Sequence, residues 1–569
     1  MMIRVGRLAG FHITLAILFS IALGCRSQST PSPAAATPNA EAIAEQLRTI
    51  ADAGTLADLK WPNFPDYRQR VQALYEAVSY TPVWVRDGQP TPQAQAVMTA
   101  LEVSRLKGLN PEEYDAERWP SRLNALKSAP GDATTIAHFD AALTVSAMRY
   151  ISDLHIGRVN PKHFKFGIDV AQKSYDLPQF LLQKLLPASN VPEVLKAVEP
   201  PYYGYQRTEA ALQNYLALAD QDHSAPLPEV QKTLAPGDAY AGAEALAQRL
   251  QLVGDLAKGP IGDPKPGIYD GPLVDGVKHF QSRHGFNADG RLGKDTLRQL
   301  NTPLSVRIQQ LDDALETWRW LPVDFPTLPV AVNIPEFVLR VFSPDHRIAL
   351  RMNVVVGKAV RNETPVFAKD MKYIVFRPYW NVPYSITRGE IIPSLAKDSG
   401  YLARKNFEIT DQSGRVVTSA AVSADVLAQL RSGKLLVRQR PGPTNSLGLV
   451  KFMFPNEHNV YLHSTPSQAL FSESRRDFSH GCIRVEKPAE LAAWLLQGQP
   501  KWTLDAVRAA MQSGRDNQQV NLDRPVPVVI IYLTAVVEEN GEVYFFDDIY
   551  GHDRSLNAVL AKGPRYPGA

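Results

Sequence analysis

The sequence predicts an α+β protein of several domains, because helical and strand-rich segments follow one another along the chain instead of alternating. The chain has 569 residues, which at ordinary domain size gives about three or four domains. Residues 46–235 carry mainly helical patterns, and residues 236–302 form a smaller helical unit. Strands dominate residues 310–537, and residues 538–569 are predicted to form a hairpin and tail.

The composition excludes several classes of function. With 44% hydrophobic and 21% charged residues, it is typical of a soluble globular protein. The net charge is only +3, and no basic run alternates with aromatic residues as a nucleic-acid groove requires. The twelve histidines show no metal-ligand spacing, and no phosphate-binding loop is present, so we expect neither a metal nor another cofactor.

The N-terminus has the pattern of an export signal. Arg4 and Arg7 precede an apolar stretch, residues 8–24, and the next residue is Cys25. A small residue directly before a cysteine resembles a bacterial lipoprotein signal, although Ala22 stands where leucine is usual. Residues 1–25 are therefore predicted to be a signal peptide that leaves a lipid on Cys25, the alternative being an uncleaved anchor. Residues 26–45, rich in Ser, Pro and Ala, are typical of a flexible tether.

The helical region contains one clear helix start. Thr91 is a favourable N-cap residue, and Pro92 suits the first helical position. Apolar residues then recur at helical spacing, and Gly108 is a plausible stop. These apolar residues are Ala94, Val97, Met98 and Leu101. No catalytic constellation is apparent here, so residues 46–235 are predicted to pack and position other domains.

Residues 236–302 carry two amphipathic helical stretches separated by a turn. Leu246 and Leu250 mark the first stretch, and Leu273, Val277 and Phe280 mark the second. The unit resembles the small three-helix peptidoglycan-binding domain, which implies contact with glycan strands. A Pro/Gly-rich insertion at residues 258–266 departs from that pattern. The alternative is a structural spacer that does not bind glycan.

Many short strands joined by turns predict a β-sandwich for residues 310–537. Asn540-Gly541 predicts a hairpin turn after a long apolar strand. The predicted strands are residues 337–342, 347–356, 372–376, 528–537 and 543–546. Residues 388–440 differ in character and are predicted to be a mostly helical insertion within the strand domain.

The most informative residue is Cys482. The chain has two cysteines, and if Cys25 carries a lipid, Cys482 has no internal disulfide partner. A lone thiol in an oxidising compartment is a liability unless it is buried or used in chemistry. The residues around it decide between these two readings.

Two short segments predict one shared face around Cys482. In each, apolar residues alternate with polar or aromatic ones, so a strand period of two separates a core face from an open face. The residues predicted for the core are Val460, Leu462, Ile483 and Val485. The residues predicted for the open face are Tyr461, His463, Cys482 and Arg484. If the two strands are neighbours, His463 can approach Cys482 while Arg484 flanks both.

This grouping suits acyl transfer by a thiol. A free cysteine has a pKa of about 8.5, so it needs a base or a nearby cation at neutral pH. Gly481 permits a tight turn whose backbone N–H groups can stabilise an oxyanion. Ser464 can orient His463 through its carbonyl or its hydroxyl, and the sequence leaves both open. His480 is the competing base, but its closeness to Cys482 along the chain favours His463 instead.

The spacing of His463 and the run Ser479-His480-Gly481-Cys482 resembles the signature of YkuD-type L,D-transpeptidases. Further segments are similar to the large Gram-negative cross-linking members, which carry an inserted capping subdomain. These segments are residues 318–322, 379–383, 442–448, 451–455 and 547–551. Asp547 and Asp548 in the last segment could suggest a metal, but without a second cluster a solvated turn is favoured.

The resemblance implies a reaction and roles for the site residues. Cys482 would attack the bond between diaminopimelate and D-Ala of a tetrapeptide donor stem, and a diaminopimelate amine would accept the acyl group in a 3→3 cross-link. The implied roles are Cys482 as nucleophile, His463 as base, Ser464 as orienting residue, the amides of residues 480–482 as oxyanion donors, and Arg484 and Tyr461 as substrate contacts. Trp380 and Asn381 would line the cleft, although a core role for Trp380 stays open.

The resemblance also implies partners and a location. Carbapenem-type compounds would acylate Cys482, and the protein would act in the periplasm, tethered to a membrane by its N-terminus. Two alternatives remain at this stage. The acyl group could go to water or take part in lipoprotein attachment, or the chain could be a catalytically inactive peptidoglycan-anchoring lipoprotein.

Overall fold

The computed structural model describes residues 38–259, 267–398, 400–420 and 422–563. The predicted signal peptide with Cys25, most of the predicted tether and residues 260–266 of the Pro/Gly-rich insertion lie outside the described residues. Among the helices of the described ranges, none combines the length and apolarity that crossing a membrane requires.

Helices dominate the first part of the described chain, as predicted. The helix predicted after Thr91 is present, and the Thr91 hydroxyl caps it by accepting a hydrogen bond from the Ala94 N–H at 3.1 Å. That helix ends before Gly108, which closes a separate short turn in the left-handed region (φ 69°). The helices are Pro38–Ala53, Pro65–Ala77, Pro92–Glu102, Trp119–Ser128, Ala133–Ile156, Leu177–Phe180, Val191–Lys196 and Tyr203–Ala219.

The helix Ala133–Ile156 lies at the centre of this helical domain and is buried along nearly its whole length. Neighbouring helices surround it, and it buries the charged residues Asp140, Arg149 and Asp153 along with its apolar ones. The segment 159–170 then leaves the helical core and packs into the strand-rich domain. There the Gly167 N–H donates to the Val366 carbonyl at 2.8 Å, which joins the two domains.

In the described part of residues 236–302, three helices surround a small apolar core. They are Ala243–Leu252, Pro272–Arg283 and Lys294–Leu300, with the short strands Asp238–Ala239 and Ile268–Tyr269 paired beside them. Asp255 pairs with Arg283, and the Arg283 guanidinium also donates to the Val543 carbonyl of the C-terminal hairpin. The small domain is therefore docked on the C-terminal part of the chain.

A long helix, Leu304–Trp320, follows the small domain and was not predicted from the sequence. The expected domain boundary at residue 310 falls within it. The helix packs against Tyr203–Ala219 and the C-terminal hairpin in a third core. It also reaches the helical domain, because the Asp312 carboxylate accepts two hydrogen bonds from the Arg105 guanidinium, each of 2.9 Å.

Within the described residues, nine strands form one sheet in the strand-rich domain. Their order is Asp477–Ser479, Ile348–Gly357, Ile483–Val485, Leu462–His463, Val450–Met453, Phe367–Phe376, Gln518–Ile531, Val330–Asn333 and Val338–Phe342. The sheet closes on itself, because Ile348–Gly357 also pairs with Val338–Phe342. The predicted sandwich is thus built from one sheet that curls around its core, and the helices Pro488–Leu495 and Leu504–Ser513 contribute to that core.

The C-terminal part differs from the prediction in one detail. The predicted strand 528–537 is interrupted, since Gln518–Ile531 ends before a separate strand, Ala535–Val537. That second strand forms the expected hairpin with Val543–Phe545, and Gly541 occupies the left-handed region of its turn. A last helix, His552–Leu560, follows the hairpin.

The insertion contains a sheet as well as helices. We call residues 380–439 the cap. Within its described residues the strands are Val416–Thr418, Phe407–Thr410, Leu436–Gln439 and Trp380–Asn381, in that order across the sheet. Its helices are Tyr384–Ile386, Ile392–Lys397, Tyr401–Arg404 and Ala424–Arg431. The cap therefore begins before the predicted residue 388, because its first strand is Trp380–Asn381.

Phe367 joins the sheet to the helical domain, so its loss should destabilise the protein. It is 0% exposed and packs against Phe454, and its Cβ lies directly beside Gly167. We expect Phe367→Ala to lower the free energy of unfolding by about 3–5 kcal/mol, because it removes buried apolar surface and leaves a cavity. Phe478→Ala is the matched control, because Phe478 is 43% exposed. Denaturant unfolding measures the free energy of unfolding of both variants. Equal losses would contradict the role of Phe367 in joining the sheet to the helical domain.

Candidate active site

Two neighbouring strands of the sheet hold the candidate site. Leu462–His463 pairs in parallel with Ile483–Val485, and the register sets Leu462 opposite Ile483 and His463 opposite Arg484. The apolar residues predicted for the core are buried there, namely Val460, Leu462, Ile483 and Val485. The alternating residues Tyr461, His463, Cys482 and Arg484 consequently share the opposite face. The Tyr461 and His463 rings meet edge-on with centroids 5.8 Å apart.

Cys482 is half-buried on this face. It is the only cysteine among the residues that the structure describes. Its sulfur lies 3.7 Å from the Asn459 carbonyl oxygen, in the loop that leads into the histidine strand. The preceding Gly481 has φ 112°, a conformation that side-chain-bearing residues rarely adopt. The glycine thus turns the chain sharply just before the sulfur.

We call residues 479–482 the catalytic turn. The Ser479 hydroxyl accepts a hydrogen bond from the Gly481 N–H at 3.1 Å and donates to the Cys482 carbonyl at 2.5 Å. The Gly481 N–H is therefore already engaged, which corrects the expectation that all three amides of residues 480–482 face an oxyanion. The amides of His480 and Cys482 remain as candidate donors.

His463 is 5% exposed, and its Nδ1 lies 2.5 Å from the Ser464 carbonyl oxygen. A carbonyl can only accept a hydrogen bond, so Nδ1 carries the ring proton and Nε2 keeps its lone pair. The sequence left open whether the carbonyl or the hydroxyl of Ser464 orients the ring, and the geometry assigns the carbonyl. The Ser464 side chain instead lies against the backbone of Gly448, where a Cβ would come within 2.5 Å of its hydroxyl oxygen.

Cys482 and His463 are both uncharged at neutral pH. Burial lowers the pKa of His463 to about 3, and the positive charges of Arg484 and Lys451 act in the same direction. Burial also raises the pKa of the Cys482 thiol, although hydrogen bonds from Tyr461 and the charges of Arg484 and Lys451 partly oppose that rise. A neutral thiol and a neutral imidazole therefore lie on the same face of the sheet.

Lys451 is a site residue that sequence reasoning did not assign. It lies opposite His463 on the next strand, so Lys451, His463 and Arg484 form one row across three strands. Its Nζ lies 5.8 Å from the centre of the Tyr461 ring. Burial lowers the pKa of Lys451, while the nearby Cys482 acts in the opposite direction. The alternation of Lys451 with buried Val450 and Phe452 was the available signal.

Arg484 and Tyr461 both lie near the Cys482 sulfur. The Arg484 Nε is buried and makes no hydrogen bond within the described chain. Burial and the nearby Cys482 raise the pKa of the Tyr461 hydroxyl, while a hydrogen bond from the Trp380 side chain has the opposite effect. Trp380 thus reaches the site from the cap, whereas Asn381 is exposed and pairs with Arg438 in the cap sheet.

His480 faces the cap. Its Nε2 lies 2.7 Å from a carboxylate oxygen of Glu390, which belongs to the cap. The ring is thus engaged by a partner outside the strand pair, while His463 lies within it. This contact links the catalytic turn to the cap.

Asp547 and Asp548 serve as structural acceptors. Asp547 accepts a hydrogen bond from Gln299 at 2.6 Å, and Asp548 accepts one from the Tyr532 hydroxyl at 2.7 Å. No group of three or more potential metal ligands occurs among the described residues.

Comparison with known proteins agrees with this geometry. Residues 330–507 match the L,D-transpeptidase catalytic domain of the YkuD type. The chain carries a YkuD-type L,D-transpeptidase catalytic domain. Residues 241–300 match a "putative peptidoglycan binding domain", and residues 69–212 match a scaffold domain.

One curated relative is a "putative L,D-transpeptidase" from Haemophilus influenzae. It is 32% identical over 228 residues, which is 40% of this chain and 45% of the relative. The match thus spans less than half the length of the relative. The L,D-transpeptidase domain and the peptidoglycan-binding domain both point to the cell wall.

The two cations should control the reactivity of the thiol. Replacing Arg484 by Gln removes a charge that favours the thiolate, so the pKa of Cys482 should rise further. Loss of about 1 kcal/mol of attraction would lower the thiolate population about fivefold. We expect the iodoacetamide alkylation rate to fall by that factor at pH 7.5 and its pH profile to move to higher pH.

Arg508→Gln is the matched control for that experiment, because Arg508 lies exposed on the helix Leu504–Ser513. Arg484→Lys should retain most of the wild-type rate, because it keeps a positive charge. Superimposable pH profiles for Arg484→Gln and wild-type protein would show that this charge does not act on the thiol.

Proposed function

We propose that this chain is a cysteine L,D-transpeptidase that forms 3→3 peptidoglycan cross-links. The donor would be a tetrapeptide stem and the acceptor a diaminopimelate amine on a second stem. The observation that carries the proposal is that a half-buried thiol and a buried neutral imidazole lie on the same face of the sheet. Cys482 and His463 share one face of the sheet, and the Ser464 carbonyl holds the histidine ring proton on Nδ1.

In the acylation step, Nε2 of His463 takes the thiol proton as the Cys482 sulfur attacks the carbonyl carbon of the diaminopimelate–D-Ala bond. The carbonyl oxygen becomes negative and is stabilised by backbone N–H groups of the catalytic turn. When the C–N bond breaks, the imidazolium returns its proton to the departing amine of D-Ala. The products are free D-Ala and a thioester on Cys482, with His463 neutral again.

In the transfer step, the side-chain amine of a diaminopimelate attacks the thioester carbonyl. His463 accepts a proton from that amine and delivers it to the sulfur as the C–S bond breaks. An amide bond forms and the thiol is regenerated, so protons and electron pairs balance over the cycle. Water in place of the amine would yield a tripeptide stem, and a lysine amine would attach a lipoprotein.

Charge around the sulfur supports a substrate that carries carboxylates. Near Cys482, Arg484 has a buried N–H group that finds no partner among the residues the structure describes, and Lys451 adds a second cation. A stem peptide ending in a carboxylate supplies acceptors for such donors. Tyr461 and Trp380 would border the peptide, and the small domain would hold the glycan strand. The proposed location is the periplasm, with a lipid on Cys25 as the tether.

The proposal is tested with purified protein and tetrapeptide muropeptides. Product masses separate a cross-linked dimer from a hydrolysed tripeptide and from unreacted substrate. We expect wild-type protein to yield dimer and Cys482→Ala to yield no product. If wild-type protein yields only tripeptide, the reaction is hydrolysis and not cross-linking. If only unreacted substrate is recovered, an inactive anchoring protein is favoured.

The same assay identifies the general base. His463→Gln should lower the rate by about 10²–10⁴, because it removes proton transfer in both steps. His480→Gln should cost much less, since that ring is bound to Glu390. His223→Gln on the exposed surface serves as the control. A larger loss of rate with His480→Gln than with His463→Gln would assign the role of general base to His480.

A further inference from the structure

The C-terminal segment around Tyr550 lies behind the catalytic turn. We call residues 357–364 the supporting loop, because they lie between this segment and the turn. The Tyr550 hydroxyl donates to the Gly357 carbonyl at 2.5 Å and accepts from the Thr364 N–H at 3.3 Å. One hydroxyl therefore binds both ends of the loop. A Cβ at Gly357 would come within 1.9 Å of the Asn362 carbonyl oxygen, so the loop is tightly closed.

Thr364 connects the supporting loop to the catalytic turn. Its side chain is fully buried, and its hydroxyl accepts from the Gly357 N–H at 2.8 Å. The same hydroxyl donates to the Gly481 carbonyl at 2.8 Å. The Thr364 hydroxyl therefore bridges the supporting loop and the Gly481 carbonyl.

The Gly481 carbonyl shares a peptide plane with the Cys482 N–H. In a trans peptide these two groups point in opposite directions. Holding the carbonyl on Thr364 therefore directs the Cys482 N–H to the other side of the chain. Because Ser479 already engages the Gly481 N–H, the Cys482 N–H is one of two backbone donors left for an oxyanion.

Tyr550 is itself held by a second tyrosine. Its backbone N–H donates to the Tyr532 hydroxyl at 2.9 Å, and that hydroxyl donates to Asp548 at 2.7 Å. The two rings stack with centroids 5.9 Å apart. Asp548 also accepts from the Arg554 N–H at 3.1 Å, at the start of the last helix. Hydrogen bonds therefore run continuously from that helix to the catalytic turn.

We propose that Thr364 and Tyr550 are positioning residues that aim the Cys482 amide at the oxyanion of the acyl-transfer step. Neither residue touches the substrate in this arrangement; each acts through the peptide plane between Gly481 and Cys482. The inference rests on the proposed acyl-transfer function, since only acyl transfer at a carbonyl develops an oxyanion.

Two electrophiles separate this role from general support of the thiol. A carbapenem acylates through a tetrahedral oxyanion, whereas iodoacetamide alkylates a thiolate by displacement of iodide and needs no oxyanion donor. Removing an oxyanion donor typically costs about 10²–10³ in rate, so misdirecting one should cost at least about tenfold. Thr364→Val removes the hydroxyl but keeps the shape of the side chain.

For full-length Thr364→Val we expect carbapenem acylation, followed by intact mass, to slow at least about tenfold in its maximal rate, with half-saturation little changed. Iodoacetamide alkylation of Cys482 should stay within about twofold of wild type, since thiolate reactivity does not depend on the oxyanion donors. Thr364→Ser should restore acylation because it restores the hydroxyl. Tyr550→Phe should give a smaller loss, and Tyr544→Phe, on the same C-terminal part, none.

Each outcome decides one point. If wild-type protein is alkylated but not acylated, the proposed acyl-transfer function fails. If wild-type protein is acylated and Thr364→Val matches it, the positioning role is overturned while the function stands. If Thr364→Val slows both reactions equally, the threonine supports the fold around the thiol and the positioning role is likewise overturned. Thermal unfolding of each variant identifies any general loss of structure.

Discussion

The parallel pairing of Leu462–His463 with Ile483–Val485 is the constraint on which the site depends. Its apolar residues are buried in the sheet core, so a shift of one residue would place polar groups in that core. Burial of one face therefore fixes the register, and the register alone determines that His463 and Cys482 share the other. The positions of Cys482 and His463 are therefore set by packing on the opposite side of the sheet.

The residues around the strand pair influence the charge states of His463 and Cys482. Lys451 and Arg484 flank the histidine, and together with burial they keep its ring neutral. The same cations favour the thiolate, but burial of the sulfur outweighs them. The site therefore holds a thiol and an imidazole instead of an ion pair. The cap adds Trp380 and Glu390 to this environment from outside the sheet.

Sequence patterns predicted the elements whose burial follows a simple period. Alternation along the two catalytic strands indicated the shared face, and the N-cap at Thr91 indicated a helix that the structure contains. The helix Leu304–Trp320 was missed because it buries charged side chains between domains, which interrupts the apolar pattern. The buried charged residues of that helix are Arg307, Asp313, Glu316 and Arg319. The cap strands were missed because they are two to four residues long, too short for alternation to be recognised.

At the site itself, contacts between distant segments limited what could be predicted from the sequence. No sequence pattern near Thr364 indicates that its hydroxyl contacts a turn more than a hundred residues away. Likewise, no pattern near Lys451 indicates that it lies beside His463. The assignment of Ser464 depended on which of its oxygens faces a ring, and only the path of the backbone decides that.

The raised pKa of Cys482 also has a consequence for oxidative damage. The chain has no other cysteine besides Cys25, so sulfenic acid formed on Cys482 would lack a resolving thiol at the site and could proceed to irreversible forms. Peroxides react with the thiolate, and burial keeps that form scarce until a base removes the proton. The burial that keeps the Cys482 thiol protonated thus also protects the sulfur from oxidation.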